Sequence, residues 1–435
     1  MNPRREDLWR DLVELTRLPH RGSGTREEAH AARWLAARLQ ELGYRVEIQE
    51  FRTPRHTLYL GPAWTGMALA ALALASQGLA GAGAALAAAG ALVVLLPLVG
   101  EVLLWPYGWP INLTPLLPRG RSQNVLARPG PVRNATAGGT GSPGEGDPQE
   151  APRAGDGAVR PFHLFLVAHY DTQWGSWLFA PRFLPFTRSF FTLGYAGFVA
   201  VPLLLFLRAA GVAGASAALL AAGILDAAVA GFLLLCWLTG RPVNGANDNG
   251  SGVAVALELA RRLQAQPLPG AEVTVALTGA EEVGMRGMAA LVGHPLFRRA
   301  LARGRDRVVV INLDNLGRGR LHYLTGEGLV LPVAYDRRLV RLAARVAAAL
   351  PTGRLTPGPR PLLPTDALLP AARKIPAITF LATGPDGRIP HYHWHSDRLE
   401  HVDRRHLEEV ADAVWAFLQA LATEWAAPQI GSRTD

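Results

Sequence analysis

Histidine and carboxylate side chains recur at five places along this 435-residue chain where a strand is predicted to end or a turn to begin. These residues are His169, Asp171, Asp248, Glu281, Glu282, Asp314 and His393. Imidazole and carboxylate groups both bind Zn²⁺, at about 2.0–2.2 Å. Two metal ions about 3.5–4 Å apart need a shared ligand, which a carboxylate with two oxygens can provide. The residue types therefore predict a pair of zinc ions held by side chains from separate loops.

The same residues indicate what such a metal pair would do. Two metal ions polarise a carbonyl group and lower the pKa of a bridging water, and a carboxylate that binds no metal can accept the water's proton. Glu281 and Glu282 are neighbours whose side chains diverge, so one can face the metal and the other the water. His169 and Asp171 are two residues apart at a strand end and share a face, so Asp171 can orient His169. The pattern predicts metal-assisted hydrolysis.

The predicted elements bring these residues to one edge of a sheet. Apolar segments at 162–168, 272–277 and 307–313 read as strands that end next to His169, Glu281 and Asp314. Asp248 lies in a turn of Gly and Asn, which tolerate left-handed backbone angles, and an apolar helical pattern follows. Strands that alternate with helices favour an α/β fold with a mostly parallel central sheet flanked by helices. Sites in such folds collect at the carboxyl ends of the strands.

Two pairs of apolar segments interrupt this pattern. No charged side chain occurs from Thr57 to Gly100, and Trp105, Tyr107 and Trp109 follow as an interfacial aromatic belt would. Each segment approaches the ~20 residues that a membrane helix needs. The segments are 58–76, 84–104, 190–207 and 215–238. We therefore expect four transmembrane helices in two hairpins, with a lipid bilayer as one partner.

One acidic residue, Asp226, lies near the middle of the last apolar segment. A carboxylate at that depth is costly, so we expect it to face other helices or to be protonated. It also suggests a transporter, although four spans with one acidic residue are weak support for transport.

The insertions divide the chain. A discontinuous zinc-binding domain is expected from residues 1–57, 106–189 and 240–435, with transmembrane hairpins at 58–105 and 190–239. Residues 129–160 are rich in Gly, Pro and Ala with scattered charges, and we expect a disordered insertion there.

Composition limits which partners the protein can be expected to bind and where in the cell it is expected to lie. The formal net charge is +9, but the arginines form no long run and no aromatic-basic stripe, so nucleic acid is not an expected partner. Cys236 is the single cysteine, which leaves no disulfide framework. The first 51 residues are amphipathic and do not resemble a signal peptide. Arginines concentrate at the hairpin ends nearest the domain, which predicts an integral protein of a bacterial inner or plasma membrane with a cytoplasmic catalytic domain.

Five segments of the chain resemble the motifs of a known family. They are Ala168-His-Tyr-Asp-Thr, Gly245-Ala-Asn-Asp-Asn-Gly-Ser-Gly, Glu281-Glu282, Asn312-Leu-Asp314 and Tyr392-His393. In this order they are similar to the di-zinc metallopeptidases of the aminopeptidase Y, bacterial leucyl aminopeptidase and glutamate carboxypeptidase type. Pro19-His-Arg-Gly-Ser-Gly and Ser122-Gln-Asn-Val-Leu-Ala are similar to that family as well. The resemblance covers most of the chain outside the apolar and Gly/Pro-rich insertions.

The resemblance implies a role for each site residue. One zinc would be held by His169, Asp248 and Asp314 and the other by Asp248, Glu282 and His393, with Glu281 as general base. The family places Asp four residues, and Val-Asp nine and ten residues, after the last ligand. Asp397, Val402 and Asp403 therefore select His393 over His391 and His395. Asp366, Tyr392 and His395 are expected on the substrate side.

These expectations describe a membrane-anchored di-zinc exopeptidase of the aminopeptidase type, acting on peptides near a free terminus. Two alternatives of related fold remain open at this point. A glutaminyl cyclase would use a single zinc ion, and a non-catalytic receptor or scaffold would typically have lost ligands. The sequence leaves the substrate preference and the oligomeric state undetermined.

Overall fold

The computed structural model describes residues 3–55, 59–108, 116–130, 161–328 and 330–426, and all structural statements below concern these ranges. Residues 131–160, which make up nearly all of the expected disordered insertion, lie outside the described residues. Trp109 of the expected aromatic belt does as well.

Strands and helices alternate along the described chain. The strands are β1 (Tyr44–Pro54), β2 (Arg119–Pro129), β3 (Phe162–His169), β4 (Trp174–Gly175), β5 (Arg241–Pro242), β6 (Ala271–Thr278), β7 (Val308–Asp314), β8 (Arg320–Tyr323), β9 (Gly326–Glu327), β10 (Val333–Ala334), β11 (Thr356–Pro357) and β12 (Ala377–Thr383). The helices are α1 (Pro3–Thr16), α2 (Arg26–Glu41), α3 (Leu60–Ala75), α4 (Gly81–Val99), α5 (Thr187–Ala209), α6 (Ala215–Thr239), α7 (Gly252–Ala265), α8 (Arg286–Gly293), α9 (Pro295–Ala302), α10 (Arg337–Ala349), α11 (Leu368–Ala372) and α12 (Arg404–Ala426).

Eight of these strands form the central sheet, in the spatial order β1–β2–β6–β3–β7–β12–β8–β11. Strands β6, β3, β7 and β12 are parallel neighbours, whereas β2 is antiparallel to both β1 and β6, and β8 is antiparallel to β12. The expected α/β class is confirmed, with parallel pairing at the centre and antiparallel pairing towards the flanks. The parallel centre places several strand ends at one edge, which is where the predicted ligands lie.

The central strands are buried because helices cover the sheet. Every residue of β3 and of β7 is buried. Such continuous apolar strands are typical of parallel sheets with both faces covered. Helix α7 packs against β3 and β7, α1 and α12 pack against α7, and α2 packs across β1 and β2. The strand that ends at His169 is therefore fixed by its neighbours in the sheet and by α7.

The inserted helices α3, α4, α5 and α6 form a four-helix bundle. Helix α3 packs on α6, and α4 packs on α5, so the two hairpins are interleaved. Small residues allow close contact: a Cβ on Gly223 would lie 2.7 Å from the Cβ of Ala73. The outer surface is apolar, with Leu86 76% and Val93 70% exposed. A helix that is apolar on all sides is typical of buried or membrane-embedded surroundings.

Three helical segments within the described residues are long and apolar enough to cross a membrane. They are Gly81–Tyr107, Leu184–Ala209 and Ala215–Thr239. Helix α3, the fourth expected span, is not among them, because it has only 16 residues and is followed by the tight turn Ser76–Gly78. At 1.5 Å per residue α3 is about 24 Å long, shorter than a hydrocarbon core of about 30 Å.

Asp226 faces the interior of this bundle, as predicted. Its side chain is fully buried, and a Cβ on Gly197 of α5 would lie 2.3 Å from Asp226 Oδ1. Neither carboxylate oxygen has a hydrogen-bond partner in the described part of the chain. The residue is therefore packed against a glycine of the neighbouring helix and is not turned towards the outer surface.

Candidate metal and catalytic site

The structure brings the five predicted metal ligands together at the carboxyl edge of the sheet. His169 is the last residue of β3, and Asp314 is the last residue of β7. Glu282 follows β6, Asp248 lies in the turn before α7, and His393 lies in the loop after β12. All five side chains are buried. The convergence follows from parallel pairing, which sets the ends of β3, β6 and β7 side by side.

Asp248 lies between the two histidines. Its Oδ1 is 3.3 Å from His169 Nε2, and its Oδ2 is 3.1 Å from His393 Nε2. Asp314 Oδ1 lies 3.6 Å from His169 Nε2, and Glu282 Oε2 lies 3.2 Å from His393 Nε2. The ligands thus divide into two groups that share Asp248.

The donor set fits metal ions. Ligand atoms of His169, Asp248 and Glu282 all lie within 4.8 Å of one another. Asp248 Oδ2 receives no hydrogen bond from the described residues although His393 Nε2 is only 3.1 Å away, and Glu282 Oε1 is also without a partner there. Buried carboxylate oxygens normally accept hydrogen bonds or bind cations. Two nitrogens and several unsatisfied oxygens directed at common points are suited to one or two cations.

The charges within the cluster also favour bound cations. Burial favours the neutral form of His393, but the nearby charges of Glu282 and Asp248 raise the pKa of His393 to about 10. Burial favours protonation of Asp248, yet both nearby histidines hold its pKa well below the usual range. Burial, opposed by the His393 charge and reinforced by the Asp248 charge, raises the pKa of Glu282 to about 7. Such crowding of carboxylates is relieved by added positive charge.

Asp171 organises the groups around His169. The Asp171 main-chain oxygen is 3.2 Å from His169 Nδ1, which leaves His169 Nε2 directed at Asp248. The Asp171 carboxylate accepts hydrogen bonds from the backbone N–H groups of Glu281 (2.9 Å) and Glu282 (3.2 Å). This residue therefore orients a ligand of one group and the loop that supplies a ligand of the other.

The turn that carries Asp248 depends on a glycine and on a buried acid. Gly245 has a φ of +68°, and a Cβ there would lie 2.3 Å from the Asp248 main-chain oxygen, so a larger residue is excluded. Asp397 accepts hydrogen bonds from the backbone N–H groups of Asn247 (2.7 Å) and Asp248 (2.9 Å). Burial raises the pKa of Asp397 to about 7. In the sequence, Asp397 served only to select His393 by its spacing. The structure shows that Asp397 also supports the Asp248 turn.

Arg21 and Glu28 also hold the site, and the sequence argument assigned neither a role. Arg21 is fully buried and donates hydrogen bonds to the main-chain oxygens of Tyr170 (2.6 Å) and Gly245 (2.8 Å). Glu28 accepts hydrogen bonds from the Ser122 hydroxyl (2.6 Å) and from the Ala280 N–H (3.2 Å). The signal was the similarity of residues 19–24 and 122–127 to the family motifs.

Left-handed backbone conformations cluster at the site. Ala280 precedes Glu281 with a φ of 54°, Asn315 follows Asp314 with a φ of 52°, and His393 itself has a φ of 52°. A non-glycine residue in this region costs roughly 1–2 kcal/mol. Residues in such conformations gather at functional sites because the surrounding structure holds them there.

Glu281 lies next to the metal-ligand cluster and lines a cavity with His169, Asp314 and His393. Burial raises the pKa of Glu281 well above its usual range; the His169 charge opposes this, and the charges of Glu282 and Asp366 reinforce it. Asp366 accepts a 2.5 Å hydrogen bond from the Thr278 hydroxyl, while its Oδ1 has no partner among the described residues. Burial raises the pKa of Asp366 to about 7.

The other two residues predicted on the substrate side, Tyr392 and His395, lie in different cavities. Tyr392 stacks on His393 with ring centroids 3.8 Å apart and lines the same cavity. His395 lies elsewhere and lines a different cavity with Val243 and Asn244. The structure thus places Asp366 and Tyr392 at the site and leaves His395 outside it, because the loop turns sharply after His393.

Comparison with known proteins shows which peptidases this chain is similar to. Residues 217–418 match the family described as peptidase family M28, a range that includes Asp248, Glu281, Glu282, Asp314 and His393 but begins after His169. Aminopeptidase YwaD of Bacillus subtilis (strain 168) is 31% identical over 182 residues. That alignment covers 40% of this chain and 36% of YwaD, so the chain spans about a third of this relative's length.

Solved structures share the fold at low sequence identity. The zinc aminopeptidase BSAP from Bacillus subtilis matches with a TM-score of 0.52 at 15% identity, covering 98% of this chain and 96% of BSAP. Glutaminyl cyclase from Porphyromonas gingivalis matches with a TM-score of 0.51 at 15% identity, covering 96% of this chain and 98% of the cyclase. The architecture is therefore that of zinc aminopeptidases and of glutaminyl cyclases.

Proposed function

Because residues 217–418 match the model of peptidase family M28, we propose that the chain is a membrane-anchored di-zinc exopeptidase of the aminopeptidase type. Its substrates are peptides, which it hydrolyses near a free amino terminus. Its similarity to aminopeptidase YwaD and to a zinc aminopeptidase supports this reaction class.

One observation carries the proposal of two ions. The two carboxylate oxygens of Asp248 face different histidines, at 3.3 Å from His169 and 3.1 Å from His393. A single zinc site has no need of a carboxylate placed between two separate nitrogen ligands. A bridging carboxylate is the ligand that a pair of metals requires. His169, Asp248 and Asp314 would hold one zinc ion, and Asp248, Glu282 and His393 the other.

Zinc bound in such a site supplies a Lewis acid that polarises a carbonyl and lowers the pKa of water. The chain's own residues supply the proton transfer and the positioning. Glu281 lines the same cavity as the proposed ligands and is not itself one of them, so its carboxylate is free to accept a proton there. Asp171 holds the Glu281 backbone, so the carboxylate is presented in one place.

Membrane anchoring and orientation are part of the same proposal. Three helices could span a bilayer by length and composition. The helix ends nearest the sheet are flanked by Arg52, Arg55, Arg119, Arg121, Arg182, Arg188 and Arg241. At the opposite tips, Arg208 donates hydrogen bonds to the main-chain oxygens of Leu79 (2.6 Å) and Gln77. Because positive charge stays on the cytoplasmic side, we place the peptidase domain in the cytoplasm of a bacterial cell.

Metal content and substrate turnover test this function together. The full chain is purified in lipid nanodiscs, reconstituted with zinc and analysed for metal per chain, and a panel of aminoacyl amides and short peptides is assayed. Two zinc ions per chain with release of amino-terminal residues is the expected result. One zinc ion with conversion of amino-terminal glutamine to pyroglutamate would instead assign the chain to the cyclase reaction. Metal binding without either reaction would leave a scaffold role.

A further inference from the structure

A further cavity joins the inserted helices to the proposed active site. Its volume is about 200 Å³. On the side of the bundle it is lined by Leu98, Val102, Phe198 and Leu233, among other apolar side chains. On the side of the sheet its wall includes Glu281, Glu282 and His393. The cavity therefore begins at the proposed catalytic residues and extends between helices that the inserted hairpins supply.

This space is larger than the gaps left by ordinary packing, because protein interiors hold few voids larger than one water molecule. Cavities with apolar walls stay dry and bind apolar molecules. Val330 and Leu331 line the same cavity and are each 47% exposed, so apolar side chains also stand at its mouth. The walls and the mouth suit an apolar occupant that enters from outside.

One part of the wall is polar and connects the end of α4 with the loop that follows Glu282. Glu101, just beyond α4, forms an ion pair with Arg286, and the Arg286 guanidinium lies 4.2 Å from the centre of the Trp105 ring. Trp105 Nε1 donates to the Gly284 main-chain oxygen (3.3 Å), two residues after Glu282. Together with Glu281, Glu282 and His393, these groups make one side of a mainly apolar cavity polar. Peptide groups require such partners, whereas a hydrocarbon chain does not.

We infer that this cavity binds the apolar side chains of a peptide substrate, so that the enzyme prefers short peptides with consecutive large apolar residues next to the scissile bond. Fragments of membrane-spanning segments have this chemistry. The inference rests on the proposed peptidase function and adds the substrate class. The inserted helices thereby contribute a binding wall in addition to any anchoring.

The test measures binding without turnover, using the full chain with zinc in lipid nanodiscs. The probes are Leu-Leu-Leu and Ala-Ala-Ala, each with its first peptide bond reduced so that it is not cleaved. Isothermal titration should show the leucine probe binding at least about 10-fold more tightly than the alanine probe. Val102→Trp fills the cavity and should reduce that ratio by roughly 10-fold. The control Val93→Trp changes an outward-facing residue of the same hairpin and should leave the ratio unchanged.

A second variant keeps the test valid if Val102→Trp fails to fold. Leu331→Asp changes an exposed residue at the mouth and should also reduce the ratio, whereas Ile48→Asp, at a similarly exposed residue of β1, should not. Hydrolysis of unmodified Ala-Ala-Ala by the wild type tests the proposed function separately. If that peptide is cleaved but neither variant changes the ratio, the cavity assignment alone is overturned. Tighter competition by N-lauroylglycine than by the leucine probe would also overturn it, in favour of an acyl amide.

Discussion

The carboxylate of Asp171 accepts a 2.9 Å hydrogen bond from the backbone N–H of Glu281. The two residues come from different strands, since Asp171 follows β3 and Glu281 follows β6. The same Asp171 contacts His169 Nδ1 through its main-chain oxygen, at 3.2 Å. A displacement of either strand end would therefore move a proposed metal ligand and the proposed base together. Asp171 is therefore expected to position both His169 and Glu281, although it is not itself a proposed metal ligand.

Glu281→Gln tests the base. The substitution keeps the size of the side chain and the backbone hydrogen bond to Asp171, but an amide cannot accept the proton. We expect kcat to fall by about 10²–10⁴-fold while the zinc content is unchanged. Steady-state kinetics and elemental analysis of the same preparation measure both quantities. The exposed Glu400→Gln serves as control, and near-wild-type turnover by Glu281→Gln would remove Glu281 from this role.

Asp248→Asn and His393→Ala separate the two metal sites. Asp248 faces both histidines, so its replacement should weaken both sites together. His393 belongs to one group, so its loss should empty mainly that site and leave about one zinc ion per chain. Metal titration with a chromophoric chelator gives the stoichiometry and the affinities, with the exposed His30→Ala as control. Loss of only one ion in Asp248→Asn would contradict a bridging role.

Asp397→Asn tests the support of the Asp248 turn. Asp397 accepts hydrogen bonds on both of its oxygens, from Asn247 and Asp248, and an amide retains only one acceptor oxygen. Loss of a supporting hydrogen bond beside a metal ligand typically costs about 10–100-fold in metal affinity. We expect that loss in a zinc titration, with an unchanged circular dichroism spectrum. The matched variant Asp386→Asn, at an exposed position of the same loop, should bind zinc normally.

His163 should make the protein less stable in mild acid. It is buried, with Nε2 2.8 Å from the Thr274 hydroxyl and its ring stacked on Phe165. Burial lowers the pKa of His163 to about 4. The unfolded chain binds a proton below about pH 6.5, and the folded chain does so only near pH 4, so stability is full above pH 6.5 and falls between pH 6.5 and 4. The loss is at most about 3 kcal/mol.

A substitution at His163 checks this origin of the acid sensitivity. His163→Gln removes the titrating group, so the change in melting temperature between pH 7 and pH 4.5 should become smaller than in the wild type. The exposed His30→Gln should leave the change as it is. An equal change in wild type and His163→Gln would assign the acid sensitivity to other groups.

Thiol labelling tests on which side of the membrane the peptidase domain lies. Cys236 is buried and is replaced by alanine, and single cysteines are then introduced for Val212, between α5 and α6, and for Glu400 in the peptidase domain. With the peptidase domain in the cytoplasm, an impermeant maleimide should label Val212→Cys in intact cells and Glu400→Cys only after lysis. The reverse pattern would place the peptidase domain outside and make extracellular peptides its substrates.

The sequence allowed the convergence of the proposed metal ligands to be predicted because their chemistry and their positions are both local. His169, Asp248, Glu282, Asp314 and His393 each end a strand or occupy a turn, and parallel pairing gathers such positions at one edge. The order of ligand-bearing segments along the chain was sufficient, and no long-range contact had to be known.

The supporting residues could not be predicted in the same way. Arg21 reaches Gly245 across more than two hundred residues, and Glu28 reaches Ala280 across a similar distance. No periodicity or propensity encodes such pairs. The interleaving of α3 with α6 and the short length of α3 were missed for a related reason, because an apolar stretch shows its composition but not where its helix ends or which helix it contacts.

The connections of the bundle restrict how the peptidase domain could ever be released. The chain passes between sheet and bundle four times, from β1 to α3, from α4 to β2, from β3 to α5 and from α6 to β5. A protein tethered by one terminal helix is shed by a single proteolytic cut. Here any single cut leaves both fragments held through the remaining connections and the shared sheet. With the bundle anchored in a membrane as proposed, the domain therefore has no simple route to a diffusible form.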